Sequence, residues 1–219
     1  MRNRILCIVS ALDTGGAETF LMKIFRQLHK SGIIMDFIVS RKEGYYEKEV
    51  KKLGGNIFYV DMRRKHPIKS FNQIKRIISK NNYKNVLKLA TDPTAAVDLL
   101  AAKFGGARNL GIRSCNAETG ISYTKKIEYF FLRFIINHIA TVKIAPSDLA
   151  ADYMFGKNRK ENDVIMLHNG VDLETYKYSF EKRQQIRNYY NIDNTFVIGH
   201  IGRFNRQKNH LFLIEIFGK

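Results

Sequence analysis

Short apolar runs alternate with longer stretches of helical periodicity through most of the chain. The short runs are continuous rather than alternating between apolar and polar positions, which is typical of strands covered on both sheet faces. Strand and helix in regular succession predict right-handed βαβ units. The expected fold class is therefore α/β, with a doubly wound parallel sheet.

Glycines fall where this pattern needs chain reversals. Gly15 and Gly16 join the first strand to its helix, Gly105-Gly106 closes the fourth helix, and Asn169-Gly170 is a turn dipeptide after the seventh strand. We predict strands over 5–10, 36–39, 56–60, 86–89, 109–113, 142–145 and 164–167, and helices over 17–30, 46–53, 68–79, 94–104, 125–140 and 147–155.

The pattern changes after Gly170. Residues 176–190 are charged and aromatic, as in a surface segment or linker helix, and a new apolar strand is predicted over 196–201 with a helix from 209. One strand and one helix cannot bury a core of their own, so we expect a second domain of which this chain holds only the start. The predicted division is an N-terminal domain 1–172, a linker 173–195 and the opening of a C-terminal domain 196–219.

The net charge of the chain indicates which classes of partner it could bind. The 37 Lys and Arg residues exceed the 20 acidic residues, which gives a formal net charge of +17. Such a surface favours phosphates in nucleotides, anionic lipids or nucleic acid, although a solvated basic surface explains it as well. No helix-turn-helix, zinc-finger or RNA-recognition signature is present, so we expect no nucleic-acid partner.

The cysteine content and the hydropathy of the chain indicate the cellular compartment in which it works. Cys7 and Cys115 are the only cysteines, which excludes a disulfide framework and a four-cysteine zinc site and favours a reducing cytosol. The apolar stretch after Arg4 is short and Asp13 ends it, so it reads as a buried strand rather than a signal peptide. We expect a cytoplasmic protein, with peripheral attachment to the inner face of the cytoplasmic membrane as an option.

The first candidate site is the loop after the first strand. Ligands bind at the carboxyl ends of the strands in open α/β sheets. Two glycines permit close backbone approach, and the helix that follows offers free N–H groups. A tight turn made only for packing, with the acidic residue favouring the helix dipole, explains the segment equally well. The predicted cleft loop consists of Gly15, Gly16, Ala17 and Glu18.

The second candidate site follows the predicted strand 196–201. Arg203 and Lys208 flank a loop that opens a helix, so both cations could converge on a diphosphate and stabilise the charge of a nucleoside-diphosphate leaving group. A solvated basic loop is the alternative. The six histidines have no metal-ligand spacing, and there is no P-loop or Gly-x-Ser-x-Gly elbow.

Four segments together resemble one known family, the retaining glycosyltransferases of family 4, which have the GT-B fold. The order and spacing of these segments cover essentially the whole chain, and the match is closest to bacterial capsular and exopolysaccharide transferases. The segments are Gly15-Gly16-Ala17-Glu18, Ala145-Pro146-Ser147, His168-Asn169-Gly170-Val171-Asp172, and Ile198-Gly199-His200-Ile201-Gly202-Arg203 with Gln207-Lys208-Asn209.

The resemblance implies two Rossmann-like domains, the first binding a saccharide acceptor, often lipid-linked, and the second a nucleotide-sugar. It implies transfer with retention, no cofactor and no required metal, a donor diphosphate held by Arg203 and Lys208, and an interdomain segment that includes Asn169, Gly170 and Asp172. A full-length member would continue for about 150 residues, roughly one more domain. That part would carry a glutamate pair at the donor, so the chain alone is expected to be inactive. No catalytic residue is identified.

The chain departs from the family pattern after the fourth and fifth strands. Relatives often carry a histidine where this chain has Ala90-Thr91-Asp92-Pro93, and a His-Ser-His-Asn-like run where it has Arg113-Ser114-Cys115-Asn116. Asp92, Arg113 and Asn116 are therefore predicted acceptor contacts. Structural roles are the alternative, because an aspartate before a proline at a helix start is most often a cap.

Two helices carry apolar residues beside basic ones and are candidates for docking on an anionic membrane. The first is the predicted helix 68–79, preceded by Arg63-Arg64-Lys65, and the second begins at Lys125-Lys126. Packing of an apolar stripe against the sheet explains both helices as well. The predicted function is sugar transfer in polysaccharide biosynthesis. The alternative function is a non-catalytic module that binds an acceptor or a membrane.

Overall fold

The computed structural model describes residues 3–118, 122–157, 163–192, 194–202, 204 and 208–218. The chain divides into two compact units, 1–170 and 171–219. Within the described residues, no helix is both long and apolar enough to cross a membrane.

The first unit is a seven-stranded parallel sheet with the strand order β3-β2-β1-β4-β5-β6-β7. Its strands are β1 Arg4–Ile8, β2 Ile34–Val39, β3 Ile57–Tyr59, β4 Asn85–Ala90, β5 Asn109–Ser114, β6 Val142–Ala145 and β7 Ile165–Met166. Its α-helices are α1 Gly16–Lys30, α2 Glu47–Lys52, α3 Pro67–Lys80, α4 Ala96–Phe104, α5 Tyr123–Ile139 and α6 Asp148–Phe155, and a short 3-10 helix spans Pro93–Ala95. All seven strands and six helices predicted for this region are confirmed, as is the fold class.

Alternate residues of each strand pack into separate cores on the two faces of the sheet, because successive side chains of a strand point to opposite faces. Leu6 and Ile8 of β1 belong to the core beneath α3, α4, α5 and α6. Cys7 lies in the other core, beneath α1 and α2. The strand order reverses between β1 and β4, so the chain leaves these neighbouring strands in opposite directions. A crevice at the carboxyl ends of the two strands follows from this topology.

The core also contains one fully buried carboxylate, on β2. Asp36 is 0% exposed, and its Oδ1 lies 2.6 Å from Arg4 Nη1 and accepts the Asn56 backbone N–H at 2.7 Å. Tyr83 donates its hydroxyl to Asp36 Oδ2 at 2.7 Å. Burial, followed by this hydrogen bond, raises the pKa of Tyr83 above its ordinary range. Three donors thus offset the cost of burying the charge.

The second unit contains α7 Phe180–Tyr190 and α8 His210–Phe217. Ser179 caps α7 by accepting the Lys182 backbone N–H at 3.2 Å. The strand predicted over 196–201 is wrong, because these described residues have no regular secondary structure. A strand needs a neighbour to satisfy its backbone groups, and the described part of this unit provides none. Phe196 is accordingly 81% exposed.

Candidate functional site

The β1–α1 loop lies at the crevice and is held in place by the segment that precedes α2. Tyr46 donates its backbone N–H to the Leu12 carbonyl at 2.8 Å, and its hydroxyl lies 3.0 Å from Thr19 Oγ1. A Cβ added to Gly44 would lie 2.8 Å from the Leu12 backbone. The absence of a side chain at Gly44 therefore lets the two loops touch.

Glu18 folds back over the start of α1. A Cβ added to Gly15 would lie 2.2 Å from Glu18 Oε2, whereas one added to Gly16 would meet nothing within 4 Å. Gly15 is the N-cap of α1 and has an ordinary φ of −72°. Gly15 is thus needed for space rather than for an unusual backbone conformation, and it lets the Glu18 carboxylate rest against the loop. Ala17 is the second residue of α1.

Arg113, at the end of β5, is 2% exposed, and three groups surround its guanidinium. Nη2 donates to Asn169 Oδ1 at 2.7 Å, Nη1 lies 3.5 Å from Cys115 Sγ, and Cζ lies 3.8 Å from the centroid of the Phe20 ring. Nε is buried and has no hydrogen-bond partner among the residues that the structure describes. The side chain therefore joins β5 to α1 and to the segment after β7.

The pKa of the Cys115 thiol depends in part on Glu18. Burial raises the pKa of the Cys115 thiol, and the nearby charge of Glu18 adds to this rise, while Arg113 opposes it. The contact of Arg113 with Phe20 brings α1, which follows the cleft loop, next to the end of β5. Sequence reasoning named Cys115 but gave it no role in the site. It did not single out Phe20, because an aromatic residue on a partly buried helix face carries no signal of its own.

Asp92 caps the 3-10 helix that follows β4. Its Oδ1 accepts the Thr94 backbone N–H at 2.9 Å and also the Thr94 hydroxyl. The structure therefore gives the carboxylate the capping role that the sequence analysis left as the alternative. Asn116 is exposed, and its backbone carbonyl accepts the Ser114 hydroxyl at 3.2 Å. Its side chain therefore faces solvent at the end of β5.

Two further residues lie at this edge that the sequence analysis missed. Tyr153 of α6 donates to Glu118 Oε2 at 3.3 Å. Burial first, then a hydrogen bond with Tyr129 and the charges of Glu118 and Asp92, raise the pKa of Tyr153 above its ordinary range. Tyr153 and Glu118 thus lie together after the end of β5.

A buried ion cluster supports the same edge from beneath. Asp98 Oδ2 lies 2.8 Å from Lys88 Nζ and 2.7 Å from Arg63 Nη1, while Arg63 Nη2 donates to Thr94 Oγ1 at 2.7 Å. Burial favours neutral Asp98, but the charges of Lys88 and Arg63 outweigh it and lower the pKa of Asp98. The cluster borders a cavity of about 120 Å³, and Thr94 links it to the cap at Asp92.

The predicted interdomain segment is attached to the first unit at three points. His168 Nδ1 lies 2.8 Å from the Pro146 carbonyl, Asn169 accepts from Arg113, and the Gly170 carbonyl accepts from Lys23 at 3.3 Å. Asp172 belongs to the second unit, where its Oδ2 accepts the Thr175 hydroxyl at 2.8 Å and shapes a turn.

The predicted diphosphate site falls in the second unit. Arg203 lies outside the described residues. Lys208 is described, and a Cβ added to Gly202 would lie 3.1 Å from its Cγ, so the lysine stem runs along the glycine. The rings of His200 and His210 are 4.8 Å apart, edge to face. The loop thus brings Lys208 and two imidazoles close together.

One of the other grooves lies away from this edge. A groove of about 390 Å³ lined by Ile5, Leu87, Gly111 and Ile144 opens near the amino ends of the strands, away from the crevice. Among the described residues, no group of three His, Cys, Asp or Glu side chains is placed to hold a metal ion.

Comparisons in sequence place the chain near glycosyltransferases. No protein-family model matches it. It is 28% identical over 224 residues to EpsF of Bacillus subtilis (strain 168), a proposed glycosyltransferase, and 23% identical over 221 residues to the capsular polysaccharide biosynthesis glycosyltransferase CapH of Staphylococcus aureus. These matches cover 98% and 97% of the chain. The chain spans 58% of EpsF and 57% of CapH.

Comparisons of structure agree in fold. Anabaena HepE, solved in complex with UDP, matches with a TM-score of 0.74 at 17% identity, over 98% of this chain and 57% of HepE. A glycosyltransferase from Rickettsia africae matches with a TM-score of 0.70 at 20% identity, over 98% of this chain and 56% of the other. The chain is thus similar in sequence to a proposed glycosyltransferase and to a glycosyltransferase of capsular polysaccharide biosynthesis, and it has the α/β fold found in GT-B glycosyltransferases.

Proposed function

We propose that the protein transfers a sugar from a nucleotide-sugar donor to a lipid-linked saccharide acceptor in polysaccharide biosynthesis, with retention at the anomeric carbon. The observation that carries this proposal is the match to EpsF along 98% of the chain. The match to HepE, a protein solved with bound UDP, supports a nucleotide-sugar as the donor.

In this proposal the two units have different roles. The carboxyl edge of the sheet receives the acceptor, with Asp92, Arg113 and Asn116 beside the loop of Gly15, Gly16, Ala17 and Glu18. Arg203 and Lys208 hold the donor diphosphate. The stem of Lys208 lies beside Gly202. Two cations on a diphosphate would stabilise charge that develops on the leaving group.

Nucleotide binding is the first test, because it requires fewer parts of the site than turnover does. Calorimetry with UDP, GDP and ADP is expected to show binding of one of them to a form that spans the full length of the relative EpsF, of which this chain spans 58%, and weaker binding to the 219-residue chain. Lys208→Ala should then weaken binding by about 10-fold or more, since a charge-assisted hydrogen bond is worth about 1.5–3 kcal/mol. Lys182→Ala, which removes an exposed charge from α7, is the matched control. Equal binding by the Lys208→Ala variant would remove this residue from the donor site.

Turnover tests the remaining parts of the proposal. A transfer assay on a lipid-linked saccharide, run on a form that spans the full length of EpsF and read by NMR of the product, should show the anomeric configuration of the donor sugar retained. As part of the same proposal no metal takes part, so EDTA should leave the rate unchanged. An inverted product would overturn the retaining assignment while leaving sugar transfer itself in place.

A further inference from the structure

Helix α5 has two apolar faces, of which the fold uses one. The inner face packs against the core with Tyr129 and Ile136, which are 3% and 0% exposed. Leu132, Ile135 and Ile139 are partly buried on the same side. A helix on the surface of a sheet needs only this one apolar stripe. A second stripe on α5 therefore requires another explanation.

The outer face of α5 presents aromatic side chains to solvent. Phe130, Phe131 and Phe134 are 68%, 61% and 70% exposed, and Ile127 is 48% exposed. Their spacing of three, four and seven residues places them on one side of the helix. The rings of Phe130 and Phe131 are 5.5 Å apart, edge to face. This is a contiguous patch rather than scattered exposed residues, and such patches mark interaction sites.

A groove continues the patch toward the end of α6. It has a volume of about 510 Å³ and is lined by Phe130, Phe134 and Phe155 together with polar side chains. Its floor is fixed, because Arg133 donates two hydrogen bonds to the Tyr153 carbonyl, at 2.6 and 3.0 Å. The groove is therefore preformed.

Charges around the patch are mainly positive. Lys125 and Lys126 lie in the first turn of α5, Lys157 lines the groove, and Glu128 is the acidic residue of the helix. Cations beside exposed aromatic rings complement anionic headgroups with apolar chains beneath them. Each lysine near an anionic surface strengthens attachment to it. The exposed aromatic rings of the patch thus suit the acyl chains of a membrane, and its lysines suit anionic headgroups.

The other candidate helix, α3, lacks this arrangement. Ile74 and Ile78 are 2% and 0% exposed, and Phe71 and Ile77 pack partly against the core. Ile68 alone is widely exposed, at 77%. The packing interpretation therefore holds for the apolar face of α3, which has no stripe left for lipid.

We propose that the outer face of α5 docks on an anionic membrane. Phe130, Phe131 and Phe134 enter the boundary between headgroups and acyl chains, and Lys125, Lys126 and Lys157 meet lipid phosphates. The inference rests on α5 itself and goes beyond sugar transfer, so it stands or falls separately from the donor site.

Flotation of the 219-residue chain with lipid vesicles tests this docking. Binding is expected to vesicles of phosphatidylcholine with about 30% phosphatidylglycerol and to weaken steeply without the anionic lipid. The double variant Phe130→Ser/Phe134→Ser should lose about 10-fold or more in partitioning, because two large apolar groups leave the interface. Ile68→Ser on α3 is the matched control and should bind as wild type does. Unfolding curves of both variants should match wild type, since all three side chains are exposed.

Three results would overturn the docking. The first is the absence of wild-type binding to anionic vesicles. The second is equal binding by wild type and the double phenylalanine variant. The third is a dimer in solution that the double variant abolishes while vesicle binding is absent, which would assign the face to a second copy of the chain. None of these results bears on nucleotide affinity, which is measured without lipid.

Discussion

Arg113 and Asn169 form a hydrogen bond of 2.7 Å between the end of β5 and the turn after β7. The guanidinium reaches Asn169 while its face lies on Phe20 of α1. One buried side chain therefore fixes the positions of a helix, a strand end and a turn. These three segments border the carboxyl edge of the sheet, where the sequence analysis placed the acceptor.

Replacing Arg113 by methionine should lower the free energy of unfolding by about 1–3 kcal/mol, because a charge-assisted hydrogen bond and a cation–π contact are lost. Urea denaturation followed by circular dichroism measures this change. Asn169→Ala removes only the hydrogen bond and should cost about 1 kcal/mol. Arg113→Lys should not restore stability, since an ammonium cannot stack on Phe20 and reach Asn169 together. Full stability in the lysine variant would show that only the charge matters.

Asp98→Asn should destabilise the fold by about 3–5 kcal/mol, because Lys88 and Arg63 are left without their shared countercharge. Asp13→Asn is the control: its ion pair with Arg41 is exposed and 3.8 Å long, so its loss should cost under about 0.5 kcal/mol. Thermal unfolding at neutral pH compares the two variants. Similar losses in both would show that the buried cluster adds no more than a surface pair.

The same cluster predicts a pH dependence. The pKa of Asp98 is lowered in the folded state. A carboxyl group with a lowered folded pKa adds stability above its unfolded pKa, about 3.9, and loses it as the pH falls through the folded pKa. Wild type should therefore lose more stability below about pH 4 than Asp98→Asn does. Urea titrations at several acidic pH values test this, and parallel curves would contradict it.

Gly15→Ala and Gly44→Ala should separate a site effect from a structural one. The added methyl at Gly44 would meet the Leu12 backbone at 2.8 Å, which should cost about 1–3 kcal/mol of stability. At Gly15 it would meet the mobile end of Glu18 at 2.2 Å, so the cost should stay within about 1 kcal/mol while Glu18 is displaced. Unfolding and acceptor binding are the two measurements. A large stability loss at Gly15 would show that the loop itself is rigid.

Tyr83→Phe removes one of three donors to the buried Asp36. Because hydrogen bonds to charged groups are worth about 1.5–3 kcal/mol, a loss of that size is expected in the free energy of unfolding. Tyr45→Phe, at a position 72% exposed, should change stability by less than about 0.5 kcal/mol. Urea denaturation of the two variants side by side gives the comparison. No difference between them would mean that water replaces the lost hydroxyl.

The sequence predicted the strands and helices of the first unit because each has a strong local signal. Continuous apolar runs such as the one at Leu6 mark buried strands, and paired glycines mark their ends. It failed at 196–201, where the same apolar signal occurs without a neighbouring strand. Periodicity reports what a segment needs to bury and carries no information on whether a partner is present.

The site was only partly accessible from sequence for a related reason. Gly15 and Gly16 could be found because glycines after a strand are a local signal. The stacking of Arg113 on Phe20 joins residues far apart in sequence and depends on the strand order, which periodicity does not give. The roles of the two amphipathic helices were likewise decided by packing: α3 turns its apolar face inward, whereas α5 has a second one.

The two edge strands of the sheet, β3 and β7, are its shortest described strands, at three and two residues. A long exposed edge would offer a row of unpaired N–H and C=O groups on which another chain could add a strand. Edges this short offer very few. The longer strands lie between them, and each is paired with a neighbour on both sides. The short edges thereby limit self-association through the sheet, and the contiguous aromatic patch of α5 lies on a helix, where backbone groups are already hydrogen-bonded.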